Sequence, residues 1–225
     1  MRIRRVERNA ENRMANWVSA GCGAIANELA QAMEKRGQKL YGVVNRTPEK
    51  AVAFAEKYGV QKVFTSFQDV CADPAVDIIY ISTPHNTHIH FLRKALAAGK
   101  HVLCEKPMAT TLEECEEMVK TARETGKFLM IGHNQRLAKA HAVAKELIDQ
   151  GMIGRIITFR TTFGHGGPET WSVDPGKNTW FFDKNKAAMG AMADLGIHKT
   201  DLIQFLTGQH VVRTTARVVA LDKKD

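Results

Sequence analysis

No apolar run in the sequence approaches the roughly 18 residues that a helical membrane span requires, which argues against a helical membrane protein. Arg4-Arg5 near the start is followed by no hydrophobic stretch, so neither a secretory nor a twin-arginine leader is expected. Cysteine is sparse. Cys22, Cys71, Cys104 and Cys115 show no paired spacing, Cys104 falls in an apolar strand-like run and Cys115 in a helical one, so reduced thiols and a cytoplasmic protein are expected. The His-Glu-x-x-His and Cys-x-x-Cys frameworks of zinc sites are missing too, and His85, His88 and His90 sit on a turn and helix start without one, so no metal is expected. Lys and Arg number 32 against 24 Asp and Glu, a net charge of +8, yet the excess is not gathered into a basic stripe interleaved with aromatics. Nucleic-acid binding is therefore not expected, whereas an anionic small ligand or cofactor suits the charge. Internal repeats and low-complexity tracts are absent as well.

What the chain does contain is an ordinary globular composition, 44% hydrophobic and 25% charged over 225 residues, enough for one large domain or one and a half ordinary ones. Residues 1–16 carry no hydrophobic period and read as a disordered or expression-derived tail. From Trp17 short apolar runs alternate with amphipathic stretches. Trp17 to Ala20 predicts a strand, Asn27 to Arg36 a helix stopped by Gly37, and Leu40 to Asn45 a second strand. A helix from Pro48 to Tyr58 follows, then a brief strand at Val63-Phe64, a helical turn at Phe67–Cys71 and a continuous apolar strand from Asp77 to Ser82. A helix ending near Ala98-Gly99, a strand at His101–Cys104, a helix from Thr111 to Thr125 and a strand from Phe128 to Gly132 complete the series. Such alternation over residues 17–135 predicts an α/β fold, a doubly wound parallel Rossmann sheet. Residues 136–225 differ. A helix from Leu137 to Gln150, an alternating β-branched run from Arg155 to Phe163, a loop-rich Gly164–Lys186, a helix from Ala187 to Leu206 and a strand from Val211 to Leu221 predict a partial α+β substrate or oligomerisation domain with an open, largely antiparallel sheet.

Four places carry chemistry. Gly21-Cys22-Gly23-Ala24-Ile25-Ala26 is a Gly-x-Gly-x-x-Ala pattern between a predicted strand and helix, the context in which such glycines let backbone approach a pyrophosphate. After the second strand, Asn45-Arg46-Thr47 offers an amide, a guanidinium and a hydroxyl but no carboxylate, which favours NADP over NAD; an exposed Arg at a helix start is the plain alternative. Glu105-Lys106-Pro107 ends a buried strand where α/β sheets bind ligands, although alone it reads equally as a surface turn. In the last predicted helix Asp194 and His198 are four apart and share a face; an imidazole beside a carboxylate suits a proton acceptor, or else forms an ordinary ion pair.

Together with Ser82-Thr83-Pro84-His85-Asn86-Thr87-His88, these motifs resemble, in order and from about Trp17 to Gly208, the glucose–fructose oxidoreductase / inositol dehydrogenase (Gfo/Idh/MocA) family. The resemblance implies an NAD(P)-dependent oxidoreductase acting on a sugar, polyol or related hydroxylated compound, expected to be a homo-oligomer. It implies Lys106 near the nicotinamide and substrate, His198 as acid/base residue and Asp194 as a positioning partner. The cofactor would be lined by Gly21, Cys22, Gly23, Ala24, Ile25, Asn45, Arg46, Ser82, Thr83, Pro84, His85, His88, Glu105, Lys106 and Asn134, with Arg136 part of the polar step into the second domain. The chain departs from the family pattern in its thin first strand and in Met189-Gly190-Ala191, where a run of glycines is usual. Members also typically continue well past this point, so a catalytically silent nicotinamide-binding sensor and a truncated, inactive fragment are the alternatives. The Gly164–Trp171 loop is expected to face the substrate.

Overall fold

Strand residues that point alternately to two covered faces set the architecture. In the computed structural model, which describes residues 14–173, 176, 179–187 and 189–219, six parallel strands form one sheet in the order β3-β2-β1-β4-β5-β6. They are β1 (Trp17–Ala20), β2 (Gly42–Val44), β3 (Lys62–Phe64), β4 (Ile78–Ile81), β5 (His101–Cys104) and β6 (Leu129–Ile131). Val18, Ala20, Ile79, Ile81, Val102 and Cys104 point to one face, against α3 (Phe67–Ala72), α4 (His88–Ala97) and α5 (Leu112–Thr125). Val43 and Tyr80 point to the other, with Ala26, Met33, Phe54 and Tyr58 from α1 (Ala24–Glu34) and α2 (Pro48–Tyr58). Each aliphatic side chain so enclosed contributes about 1.5–3 kcal/mol, and coverage on both faces explains why β4 reads as unbroken apolar sequence.

Strand order reverses between β1 and β4, which pair in parallel with Ser19 opposite Tyr80. Ligands bind at the carboxyl ends of strands flanking such a reversal. The turn after β1 therefore lies at the crevice. Gly42 has a packing reason instead: a Cβ there would meet the Phe64 ring at 2.4 Å.

Several boundaries differ from the sequence reading. Residues 1–13 of the predicted tail lie outside the described residues, but Asn16 is not tail. Its N–H donates to Asp77 Oδ2 at 2.7 Å and its side-chain amide to the Ala75 carbonyl at 2.9 Å, anchoring the entry to β1 beside β4. Helix α1 starts three residues early, because extended Gly23 serves as its N-cap. The helix predicted from Leu137 splits into a 3₁₀ turn, Asn134–Leu137, and α6 (Lys139–Asp149).

The largest correction concerns the second domain. Among the described residues, neither 155–163 nor 211–219 forms a strand. Their alternation is a property of side chains, whereas a strand also needs a hydrogen-bonded neighbour, and neither segment joins a ladder, with Ile157, Val212 and Val218 more than 90% exposed. Residues 220–221 of the predicted strand lie outside the described residues. The helix predicted over 187–206 is broken as well. Helix α7 (Lys184–Ala187) stops, Met189 and Gly190 both adopt positive φ (57° and 50°), and a π-helical turn, Met192–Gly196, leads into α8 (Ile197–Thr207). Methionine holds a left-handed conformation at a cost of about 1–2 kcal/mol, which glycine would avoid.

Candidate active site

The turn after β1 is shaped by its two glycines. Gly21 has φ 105°, its N–H donates to the Val44 carbonyl at 2.9 Å, and a Cβ there would stand 3.0 Å from the backbone and side-chain oxygens of Ser82. The positive φ and the closeness of Ser82 both select glycine here. At Gly23 a Cβ would meet nothing within 4 Å, so the turn opens outward there, and no side chain caps the first turn of α1. Uncapped N–H groups at a helix start beside such an opening suit a phosphate. The residues present therefore fit a dinucleotide. Cys22 itself is buried in the core, so only its backbone can take part, and Ala26 packs completely against the sheet as its small size predicts. Ala24 and Ile25 form the first turn of α1. At the end of β2, Asn45 donates its amide to the Thr47 carbonyl at 3.1 Å, while Arg46 is exposed.

Beyond β4, Ser82 reaches back to the Ala20 carbonyl (3.3 Å), and Thr83 and Thr87 share a hydrogen bond of 2.7 Å. The two histidines expected to line the cofactor are enclosed instead. His88 is fully buried, with Nδ1 3.0 Å from the Pro107 carbonyl and Nε2 2.9 Å from that of Thr83, so it pins the β4 and β5 exit loops together. Burial holds its pKa below the usual range although the carbonyls pull it up. His85 is also buried. Its Nδ1 must donate to the Ala187 carbonyl (2.7 Å), and its ring stands edge-on to Trp180 at 4.9 Å, which joins the nucleotide half to α7. Burial pushes its pKa down to about 4.

Glu105, at the end of β5, accepts from the Tyr80 hydroxyl at 2.6 Å and from the Lys106 N–H at 3.3 Å. Gly132 after β6 must be small here, since a Cβ would sit 3.0 Å from both carboxylate oxygens. Burial raises the Glu105 pKa despite those hydrogen bonds and the Lys106 charge. Lys106 turns away from this carboxylate. Its ammonium donates to Asp194 Oδ1 at 2.9 Å and to the Asp194 carbonyl at 2.8 Å, bringing together residues 88 apart in sequence. In the π turn the backbone bonding is shifted by a residue, a distortion frequent at functional sites. Burial pushes the Asp194 carboxyl up, but the Lys106 charge and the hydrogen bonds from Lys106 and His165 outweigh it and hold it below the usual range.

His198, one turn on, is buried with an Nδ1 that has no hydrogen-bond partner among the described residues. Burial, with the nearby Lys106 charge, lowers its pKa to about 4, so the imidazole is neutral at pH 7. Phe163 stands edge-on to it at 5.7 Å. Asp194 thus serves Lys106 directly and touches His198 only through its field.

Two contributors escaped the sequence reading. His165, from the loop expected to face the substrate, lies with Nε2 3.1 Å from Asp194 Oδ2, while its Nδ1 accepts from the Gly167 N–H at 3.0 Å. An acceptor Nδ1 puts the proton of the neutral ring on Nε2, so His165 donates to the second carboxylate oxygen. The loop was legible but its partner was not. The other contributor is buried Asp201, held by both arms of the Arg136 guanidinium, with Nε at 2.8 Å, and 3.8 Å from His133 Nδ1. Its position three residues after His198 on α8 was the available signal. Asn134, just before Arg136, is exposed. Among the described residues no group of three His, Cys, Asp or Glu is placed to hold a metal, and no helix is long and apolar enough to cross a membrane.

Residues 15–133 match the family profile described as an oxidoreductase family with an NAD-binding Rossmann fold, and residues 141–225 that of the GFO/IDH/MocA C-terminal domain. The chain is 34% identical over 194 residues to a 1,5-anhydro-D-fructose reductase of Ensifer adhaerens, covering 86% of this chain and 56% of that protein. It is 33% identical over 168 residues to a levoglucosan dehydrogenase of Pseudarthrobacter phenanthrenivorans, covering 74% and 42%. A solved levoglucosan dehydrogenase in complex with NADH and levoglucosan superposes with a TM-score of 0.77 at 30% identity, covering 87% of this chain and 54% of the other. An aldose–aldose oxidoreductase from Caulobacter crescentus complexed with glycerol gives 0.73 at 29%, covering 87% and 58%. The chain spans about half the length of the curated relatives it matches.

Proposed function

The chain belongs to the Gfo/Idh/MocA oxidoreductase family, and on that premise we propose that it is an NAD(P)-dependent dehydrogenase moving a hydride between a nicotinamide cofactor and a hydroxyl-bearing carbon of a sugar or polyol. The observation carrying this reading is the Lys106–Asp194 pair, with the neutral His198 beside it, at the same end of the sheet as the open glycine turn. The relatives whose names specify sugars supply the substrate class.

Oxidising a secondary alcohol removes a proton from oxygen and a hydride from carbon. Bound at the strand ends, the nicotinamide cofactor supplies the hydride acceptor, or the donor in reverse. Gly23, Ala24 and Ile25 would hold its phosphates through backbone N–H groups, with Gly21 leaving room for the approach, and Arg46 a 2′-phosphate where one is present. Lys106 donates to the substrate oxygen and stabilises the charge that grows there as the proton leaves. His198 takes that proton, because burial and the Lys106 charge keep its ring neutral and its lone pair available. Asp194 fixes the lysine from Oδ1, and His165 fixes Asp194 from Oδ2.

The test mixes the purified protein with NADP or NAD and a panel of sugars and polyols, following nicotinamide absorbance. Turnover is expected with at least one member, and Lys106→Met and His198→Ala should each abolish it while leaving cofactor affinity nearly unchanged. Cofactor binding with no turnover across the panel would favour a silent sensor, and full rates in both variants would refute the assigned roles.

A further inference from the structure

The polar cluster between α1 and α2 takes no part in the chemistry above, yet it bears on the phosphate turn. Asn27, in the second turn of α1, donates its amide to the Gly23 carbonyl at 2.9 Å and to the Cys22 carbonyl at 3.4 Å. Its Oδ1 accepts from the Tyr58 hydroxyl at 2.7 Å and from the Lys57 ammonium at 3.3 Å. The amide has only one orientation consistent with these contacts. An ammonium has donors and no acceptor, so the atom facing Lys57 is oxygen, and the NH₂ faces the carbonyls. Tyr58, almost fully buried at the end of α2, receives a bond from Gln31 Nε2 at 3.3 Å, leaving its own proton for Asn27.

This arrangement has a geometric consequence for the turn. In a trans peptide the C=O and the following N–H point in opposite directions. An amide that draws the Cys22 and Gly23 carbonyls inward along α1 therefore turns the Gly23 and Ala24 N–H groups outward. A Cβ at Gly23 would meet nothing within 4 Å, so the turn leaves room for a ligand beside these donors. A phosphate bound there needs those two donors aimed before it arrives, since any reorientation on binding is subtracted from affinity.

We propose that Asn27, locked by Tyr58, is a positioning residue that presets the pyrophosphate-binding turn, an inference that rests on the nucleotide-binding part of the function above. Asn27 touches no cofactor atom in this role; it acts through the two peptide planes it holds. Asn27→Ala frees the Cys22–Gly23 plane and leaves the Gly23 carbonyl only the backbone bond from the residue 27 N–H (3.1 Å), and Asn27→Asp replaces the donor by an acceptor that repels both carbonyls and phosphate. Tyr58→Phe keeps the aromatic packing against Phe54 and removes only the lock.

The experiment titrates the full chain and each variant with ADP-ribose and with AMP by calorimetry, with thermal unfolding of the free protein as the folding control. Asn27→Ala is expected to weaken ADP-ribose roughly tenfold more than AMP, Asn27→Asp further still, and Tyr58→Phe about threefold. A purely structural loss would lower both ligands alike. Equal weakening of the two ligands, or ADP-ribose binding unchanged in both folded Asn27→Ala and folded Tyr58→Phe, overturns the proposal. Failure of the unaltered chain to bind ADP-ribose at all would instead overturn the nucleotide-binding reading, and this proposal with it.

Discussion

Acid should unfold this protein through two enclosed imidazoles. His85 and His198 are both buried, and burial lowers each from an ordinary value of 6.5 to about 4. Between those values the unfolded chain binds a proton at each ring that the native state refuses, so stability falls as pH falls through that window. Above pH 6.5 neither ring contributes. Moving from about pH 7.5 to about pH 4.5 should cost roughly 2.5 kcal/mol per ring, from about 1.36 kcal/mol per unit over the two units below 6.5, hence about 5 kcal/mol for the pair. That is comparable to the whole stability of many domains, about 5–15 kcal/mol. His88 and His133 are lowered by burial too and act in the same direction, while Glu105, raised by burial, gains a proton more readily when folded and acts against them. Asp194, held low, contributes only at more acid pH. The assay is urea unfolding across this range for the native chain and for His85→Asn, whose amide keeps the donor to the Ala187 carbonyl without titrating. The variant should lose roughly 2.5 kcal/mol less than the native chain over the same interval. Parallel stability curves for the two proteins would show that the buried ring is not resisting protonation, and the reasoning would fail.

Exposed Arg46, at the exit of β2, should discriminate between cofactors, so Arg46→Ala should weaken NADPH roughly tenfold and leave NADH unchanged in fluorescence titrations; equal effects would assign it to the surface. Lys106 lowers and Asp194 raises the pKa of His198, so Lys106→Met should move that imidazole upward in an NMR titration, and a static value would mean the two groups do not share one field.

The nucleotide half was legible because each of its elements declares itself locally. β4 is apolar throughout because helices cover both its faces, α2 and α5 end at glycines in left-handed conformation, and Gly21 has a positive φ and sits where Ser82 crowds out a side chain. Past Gly132 the signals mislead. The alternation of 155–163 is real, but pairing depends on a neighbour that no local pattern specifies. The same applies to His85 and His88: a histidine at a strand end looks equally suited to a ligand or to a buried carbonyl, and the choice was made by Ala187 and Pro107, distant in sequence.

The pairing inside the site is the sharper case, because spacing alone linked Asp194 to His198 and the folded chain links it to Lys106. Charge cost decides between them. Asp194 offers one carboxylate to two nitrogen bases that are both largely withdrawn from water. A histidine escapes the penalty of burial by staying neutral, which at pH 7 costs almost nothing since its ordinary value is about 6.5. A lysine would have to surrender a proton against an ordinary value of about 10.4, roughly 5 kcal/mol at neutral pH. The carboxylate therefore does most for the fold beside the ammonium, and the imidazole is left neutral with an unpartnered nitrogen. That division yields one fixed cation and one neutral imidazole, the two opposite demands that drawing a proton from an alcohol makes on a site.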